Sequence, residues 1–112
     1  MNIVHRDIKL ANILMSDSSA QARATIADFG SAAKLTSAND TLVWRIGTEG
    51  YTAPEMIDGK PYSFGVDVWG LGCLMYTILV STNPFWRKEL SSKVYKMKVC
   101  HEPLKLDSKP AT

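Results

Sequence analysis

Asp7 and Asn12 stand five positions apart in His5-Arg6-Asp7-Ile8-Lys9-Leu10-Ala11-Asn12, and Asp28-Phe29-Gly30 follows sixteen residues after Asn12. Ala53-Pro54-Glu55 closes the stretch. Two carboxylates and one carboxamide at these spacings suit phosphoryl transfer, which needs one group for the acceptor hydroxyl and two for magnesium. A carboxylate accepts a hydrogen bond from that hydroxyl and aligns its oxygen for in-line attack. Magnesium takes hard oxygen ligands, often one or two carboxylates beside the phosphates.

Short elements must hold these residues. Ile3-Val4, Ile13-Leu14-Met15 and Thr25-Ile26-Ala27 read as strands, the last ending at Asp28, so a small β-ribbon displays the reactive loops at its ends. Ser16 to Gln21 is small and polar, a turn. From Ser31 to Tyr51 no periodicity is sustained, and such a long irregular segment is usually functional or mobile. Pro54 permits a short helix with Glu55 in its first turn. Asp58-Gly59-Lys60-Pro61 is a turn. Ser63 is placed to cap a helix from Phe64 to about Leu79, which Asn83-Pro84 ends. The apolar run continues to Val80 and predicts a helix covered on all sides. Leu90 to Cys100 reads as a further helix with Leu90, Val94 and Met97 on one face, and residues 103–112 as a tail.

With 112 residues, 46% of them hydrophobic and 21% charged, the chain is one small globular domain or a piece of one, too apolar to be disordered. A net charge of +2, with Arg87-Lys88 as its one adjacent basic pair, argues against a nucleic-acid partner. Lys93, Lys96 and Lys98 read as a solvated helix face. Cys73 and Cys100 form no C-x-x-C pair, and Cys100-His101 lacks two further ligands, so reduced thiols are expected. His5, Arg6 and Asp7 occupy the place of a signal peptide's apolar core, which makes the Asn39-Asp40-Thr41 sequon idle. The apolar run holds Asp67 and three glycines, so no membrane span is expected, and the expected location is inside the cell, in the cytoplasm or nucleus.

From about Asn2 to Trp86 the chain resembles eukaryotic-type protein kinases, through His-Arg-Asp…Asn, Asp-Phe-Gly and Ala-Pro-Glu in that order. The resemblance implies a protein-kinase-like α+β fold. In it, residues 1–102 form part of the mostly helical large lobe, with short strands around a catalytic loop at 5–12. An activation segment spans 28–55, and a central apolar helix runs from about 64 to 79. It implies ATP and Mg2+ as cofactors and a protein serine or threonine as substrate. Asp7 then matches the catalytic aspartate. Lys9 resembles the lysine near the transferred phosphate, where its ammonium offsets charge on the equatorial oxygens. Asn12 and Asp28 match the magnesium ligands. Thr48, in Gly47-Thr48-Glu49-Gly50-Tyr51, would hydrogen-bond Asp7 and Lys9, and with Lys9 argues for Ser/Thr rather than tyrosine substrates. His5 and Phe29 would pack beneath the site, Gly30 would free the backbone where the activation segment departs, and Asp67 would anchor the catalytic-loop backbone. Arg6 resembles the arginine that grips a phosphate on the activation segment, put there by an activating kinase; Thr41 is the first candidate for it, with Thr36 and Ser37 behind.

The family's Gly-rich loop, strand lysine, helical glutamate and adenine hinge all precede the catalytic loop, and only four residues do so here. Glu55 normally pairs with an arginine from later helices, and no arginine follows Arg87. The expectation is therefore a fragment without the small lobe, inactive by itself. Two readings follow: the catalytic section of a Ser/Thr protein kinase, or a kinase-derived binding module without catalysis.

Overall fold

The computed structural model describes residues 2–85 together with Met97, Val99 and Cys100. The architecture is mixed α+β: strands β1 (Ile3–Val4), β2 (Ile13–Met15), β3 (Ala24–Ile26) and β4 (Ala33–Lys34), then helices α1 (Pro54–Ile57) and α2 (Gly65–Val80). The strands form two separate antiparallel pairs rather than one ribbon. In one, β2 meets β3 with Ile13 opposite Ile26 and Met15 opposite Ala24. In the other, β1 meets β4, with Val4 opposite Ala33. The third strand stops one residue earlier than expected, yet Ala27 still donates its N–H to the Asn12 carbonyl at 2.8 Å.

The main core joins Val4, Leu35, Ala53, Met56, Tyr62 and Val66. It therefore pins the irregular segment at both ends, through Leu35 and Ala53, against β1 and the start of α2. A second, smaller cluster buries Ile57 and Val99 beside Trp69 and Phe85, whose rings stack at 5.3 Å. Met97, Val99 and Cys100 are helical, but the inward position is Val99, whereas Met97 is half exposed. The other residues singled out in this region, Leu90, Val94, the three lysines, Arg87-Lys88, His101 and the tail, lie outside the described residues.

Three expectations for α2 are corrected. Phe64, not Ser63, takes the N-cap place, and no side chain caps the helix; Ser63 contributes only its carbonyl, to the Val66 N–H at 3.3 Å. The helix ends before Asn83-Pro84, where Ser81 turns left-handed (φ 67°) and gives its N–H to the Thr77 carbonyl at 2.8 Å. Asn83 serves another purpose, tying the following turn to the Gly50 carbonyl at 2.9 Å. Nor is α2 covered on all sides. Val66, Gly70, Cys73 and Leu74 are buried, while Val68, Leu71, Met75, Ile78 and Leu79 are 48–69% exposed. An apolar composition all round shows that a helix can be buried on any face, but only contact decides which face is. The exposed stripe runs into an open apolar hollow of about 580 Å³ that Ile3, Ile26, Phe29 and Leu71 help to line. Among the described residues no helix is long and apolar enough to cross a membrane. Burial pushes the Cys73 thiol up to about 12, which keeps it protonated and unreactive in the folded chain.

Gly70 sets how closely α2 approaches the loop above it. A Cβ there would lie 3.1 Å from the Ile8 carbonyl oxygen and 3.2 Å from the Ile8 Cβ, whereas one at Gly72 would meet nothing within 4 Å. Alanine normally improves a helix interior by about 0.5–1 kcal/mol over glycine. Gly72→Ala is therefore expected to stabilise by that amount. Gly70→Ala is expected to destabilise by about 1–2 kcal/mol, because overpacking against backbone outweighs the helix gain. Urea unfolding of the two variants checks the opposite signs.

Candidate active site

The loop from His5 to Asn12 is held from below by one side chain. Asp67, in the first turn of α2, accepts the His5 N–H on Oδ2 at 2.7 Å and the Arg6 N–H on Oδ1 at 2.9 Å. Both bonds are charge-assisted, the stronger kind. They hold Arg6 in a left-handed conformation (φ 71°) that a non-glycine residue rarely adopts. The buried His5 ring continues the support. Its Nδ1 accepts the Asp7 N–H at 3.1 Å, so Nε2 must carry the hydrogen that it gives to the Ala27 carbonyl at 2.9 Å. His5 thus links the loop to the end of β3. Phe29 meets the His5 ring edge-on at 4.8 Å, but it is 57% exposed, so the expected core packing holds for His5 alone.

The polar side chains converge above this base. Thr48 donates its hydroxyl to Asp7 Oδ1 at 2.8 Å, and Lys9 donates to the Thr48 oxygen at 2.8 Å. The Lys9 ammonium stands 3.7 Å from Asp7 Oδ2. Asn12 is buried, and its Nδ2 donates to the Asp7 carbonyl at 2.9 Å and more weakly to Asp7 Oδ2 at 3.4 Å. That commits the amide nitrogen and, among the described residues, leaves Oδ1 as the free end of Asn12. Asp28, exposed and left-handed (φ 59°), accepts the Gly30 N–H on Oδ1 at 3.2 Å. Because Ala27 pairs with Asn12, Asp28 and Asn12 share one end of the β2–β3 hairpin. Chemically this is a carboxylate able to orient a hydroxyl, a cation beside it, and two oxygen donors for a hard metal ion.

The irregular segment after Asp28 leans on Arg6, whose Nε donates to the Ser31 carbonyl at 2.7 Å and whose Nη1 donates to the Tyr62 hydroxyl at 3.2 Å. Thr36 is already engaged: its N–H and hydroxyl both bond Asp40 Oδ2, at 3.0 and 2.9 Å. Those bonds from Thr36, with one from the Thr41 N–H, hold the Asp40 carboxyl below its ordinary value of 3.8. The contribution of these bonds to the loop is therefore fully present above that ordinary value and is lost as pH falls through the lowered one. Ser37 accepts the Asn39 N–H at 3.3 Å, and Thr41 is exposed beside Leu42, which bridges to Tyr62. Glu55 is half-buried in α1, and among the described residues its carboxylate has no hydrogen bond or ion pair.

A family model described as the protein kinase domain matches residues 1–111. The chain belongs to the protein kinase family. It is 40% identical over 98 residues to serine/threonine-protein kinase polo of Drosophila melanogaster, which covers 88% of this chain and 16% of the relative. It is 41% identical over 83 residues to serine/threonine-protein kinase PLK1 of Xenopus tropicalis, covering 74% and 13%. Calcium/calmodulin-dependent protein kinase type II of Caenorhabditis elegans is 40% identical over 89 residues, covering 78% and 12%. The chain thus spans less than a fifth of these curated Ser/Thr kinase relatives.

Within the kinase chain, two contributors escape sequence reasoning. Tyr62 reaches Arg6 across 56 positions of sequence with no motif to announce it. Gly47 has φ 111°, and a Cβ there would fall 2.7 Å from the Arg6 carbonyl oxygen, so only glycine lets Thr48 come this close to Asp7. Asp67→Ala is expected to destabilise the fold by about 2–4 kcal/mol, since two backbone donors lose a charged acceptor. Denaturant unfolding, with amide exchange at His5 and Arg6, checks it; unchanged stability would refute the anchoring role.

Proposed function

We propose that the chain carries the catalytic and magnesium-binding section of a Ser/Thr protein kinase, from the large lobe, moving the γ-phosphoryl group of ATP to serine and threonine hydroxyls of proteins inside the cell. The observation that carries the reading is the network Asp7–Thr48–Lys9, closed by two bonds of 2.8 Å. Thr48 occupies Asp7 Oδ1, so an incoming hydroxyl would meet Oδ2, which takes only the long Asn12 bond at 3.4 Å and faces the Lys9 ammonium at 3.7 Å. Asp7 aligns that hydroxyl with the γ-phosphorus and receives its proton as the new P–O bond forms and ADP departs. Lys9 offsets the charge on the phosphoryl oxygens from beside the same carboxylate. Asn12 Oδ1 and Asp28 Oδ2, neither of them bonded among the described residues, are hard donors at one hairpin end, and so fit magnesium. Bound there with ATP, magnesium would neutralise phosphate charge.

Regulation is part of the reading. Arg6 is half-buried, and among the described residues its guanidinium is held by a carbonyl and a phenol, both neutral. A phosphate on the activation segment would give it an anionic, bidentate partner. Thr41 suits this better than Thr36, whose hydroxyl is already given to Asp40.

The protein isolated from its source, given ATP, magnesium and a protein substrate, is expected to phosphorylate serine and threonine. Asp7→Asn should cut the rate by about 10²–10⁴-fold. Transfer indifferent to Asp7, or directed to tyrosine, would sink the assignment. A phosphosite map of the active protein should show modification between Ser31 and Thr48, Thr41 foremost; an empty segment would remove the regulatory part.

A further inference from the structure

Tyr62 belongs to none of the motifs above, yet it holds the activation segment in two ways. Its ring is buried in the main core, 3% exposed, beside Val4, Leu35 and Met56. Its backbone exchanges both hydrogen bonds with Leu42, each 2.8 Å. Its hydroxyl accepts from Arg6 Nη1 at 3.2 Å and donates to the Trp44 carbonyl. The stretch it grips has little else to hold it there: Val43 and Trp44 are 56% and 79% exposed. Arg6 meanwhile holds Ser31, at the beginning of the same segment, through Nε. Arg6 and Tyr62 therefore form one relay that joins the start of the irregular segment, at Ser31, to its stretch at Trp44.

We propose that the Tyr62 hydroxyl is a positioning group for phosphotransfer: by bridging Arg6 to the Trp44 carbonyl it fixes residues 42–48, and so sets Thr48 against Asp7 and Lys9. The proposal rests on the kinase reading for its consequence, but its structural core does not. Tyr62 touches no reacting group. It acts through main-chain placement, because the chain from Trp44 to Thr48 is short and Gly47 must pass close under the Arg6 carbonyl to deliver the threonine. A phenol fits this position because it accepts from the guanidinium and donates to the carbonyl at once, and its ring is locked by packing.

Tyr62→Phe keeps the ring and removes only the relay. Amide hydrogen exchange is read at Leu42 and Ile46, whose N–H groups bond the Tyr62 carbonyl and Met56 Sδ. With two hydrogen bonds lost, exchange at both should quicken by roughly tenfold, while Ala27 in the hairpin stays as slow as before. A merely structural tyrosine would move all three together or none. In the active protein the same variant should raise KM for the protein substrate severalfold and leave KM for ATP unchanged. Unaltered exchange at Leu42 and Ile46 overturns the proposal, whether or not the protein transfers phosphate. Absence of transfer in the wild type with altered exchange sinks the kinase reading and leaves the relay standing. If Tyr62→Phe unfolds the chain, Arg6→Lys decides, since it leaves the core ring in place: faster exchange at Leu42 and Ile46 supports the relay, and unchanged exchange overturns it.

Discussion

One carboxylate fixes the geometry on which the site depends. Asp67 stands in the first turn of α2, where the helix N-terminus favours negative charge, and it takes two consecutive backbone N–H groups from the loop above. Consecutive amides can point the same way only if the chain bends sharply, which is why Arg6 lies in the left-handed region. That bend turns the Asp7 side chain toward Thr48 and Lys9, and sends the Arg6 guanidinium to the opposite side, toward Ser31 and Tyr62. Gly70 adds closeness to the grip, letting the helix backbone approach the Ile8 carbonyl. A loop of eight residues with no ladder of its own is thereby made rigid from beneath.

The irregular stretch after Asp28 obeys a similar logic. Beyond the two-residue strand β4 and the Leu42–Tyr62 bridge, its order comes from side chains bonding to backbone rather than from strand or helix repeats. Thr36 and Asp40 close one small loop, Arg6 secures Ser31, and Thr52 gives its hydroxyl to the Thr48 carbonyl at 3.0 Å. Leu35 and Ala53 sink into the core at its two ends. Such a segment can be well placed and still change its arrangement when one bond is exchanged for another. Segments that switch are drawn from regions with few buried contacts.

The parts of this structure legible in the sequence are those written in short, ordered motifs. Asp7, Lys9, Asn12 and Thr48 lie together and Asp67 takes the loop's backbone N–H groups from below, in the arrangement that the resemblance implied, and α1 starts at Pro54 as its residue type dictates. What stayed hidden depends on distance or on competition between faces. Ala33-Lys34 is too short to show alternation, so its pairing with Ile3-Val4 left no local trace. Tyr62 finds Arg6 only once the core has formed. The outer stripe of α2 is as free of charge as the inner one, so no alternation of polar and apolar residues told which would be buried. Ser81 ends the helix in a left-handed turn usually given to glycine, and Ser63 has the residue type of a cap although its hydroxyl does not cap the helix.

The hydrogen-bond polarity of His5 limits what evolution can place there. One ring nitrogen must receive the Asp7 N–H while the other must deliver a hydrogen to the Ala27 carbonyl, at opposite corners of a single flat ring. A phenylalanine could fill the volume but would answer neither neighbour. A tyrosine could reach one of them with its hydroxyl and leave the other orphaned. An imidazole with hydrogens on both nitrogens would set donor against donor at Asp7. The imidazole at position 5 therefore serves both neighbours in one tautomer only, and the orientation of the Asp7 backbone is written in where a single hydrogen sits.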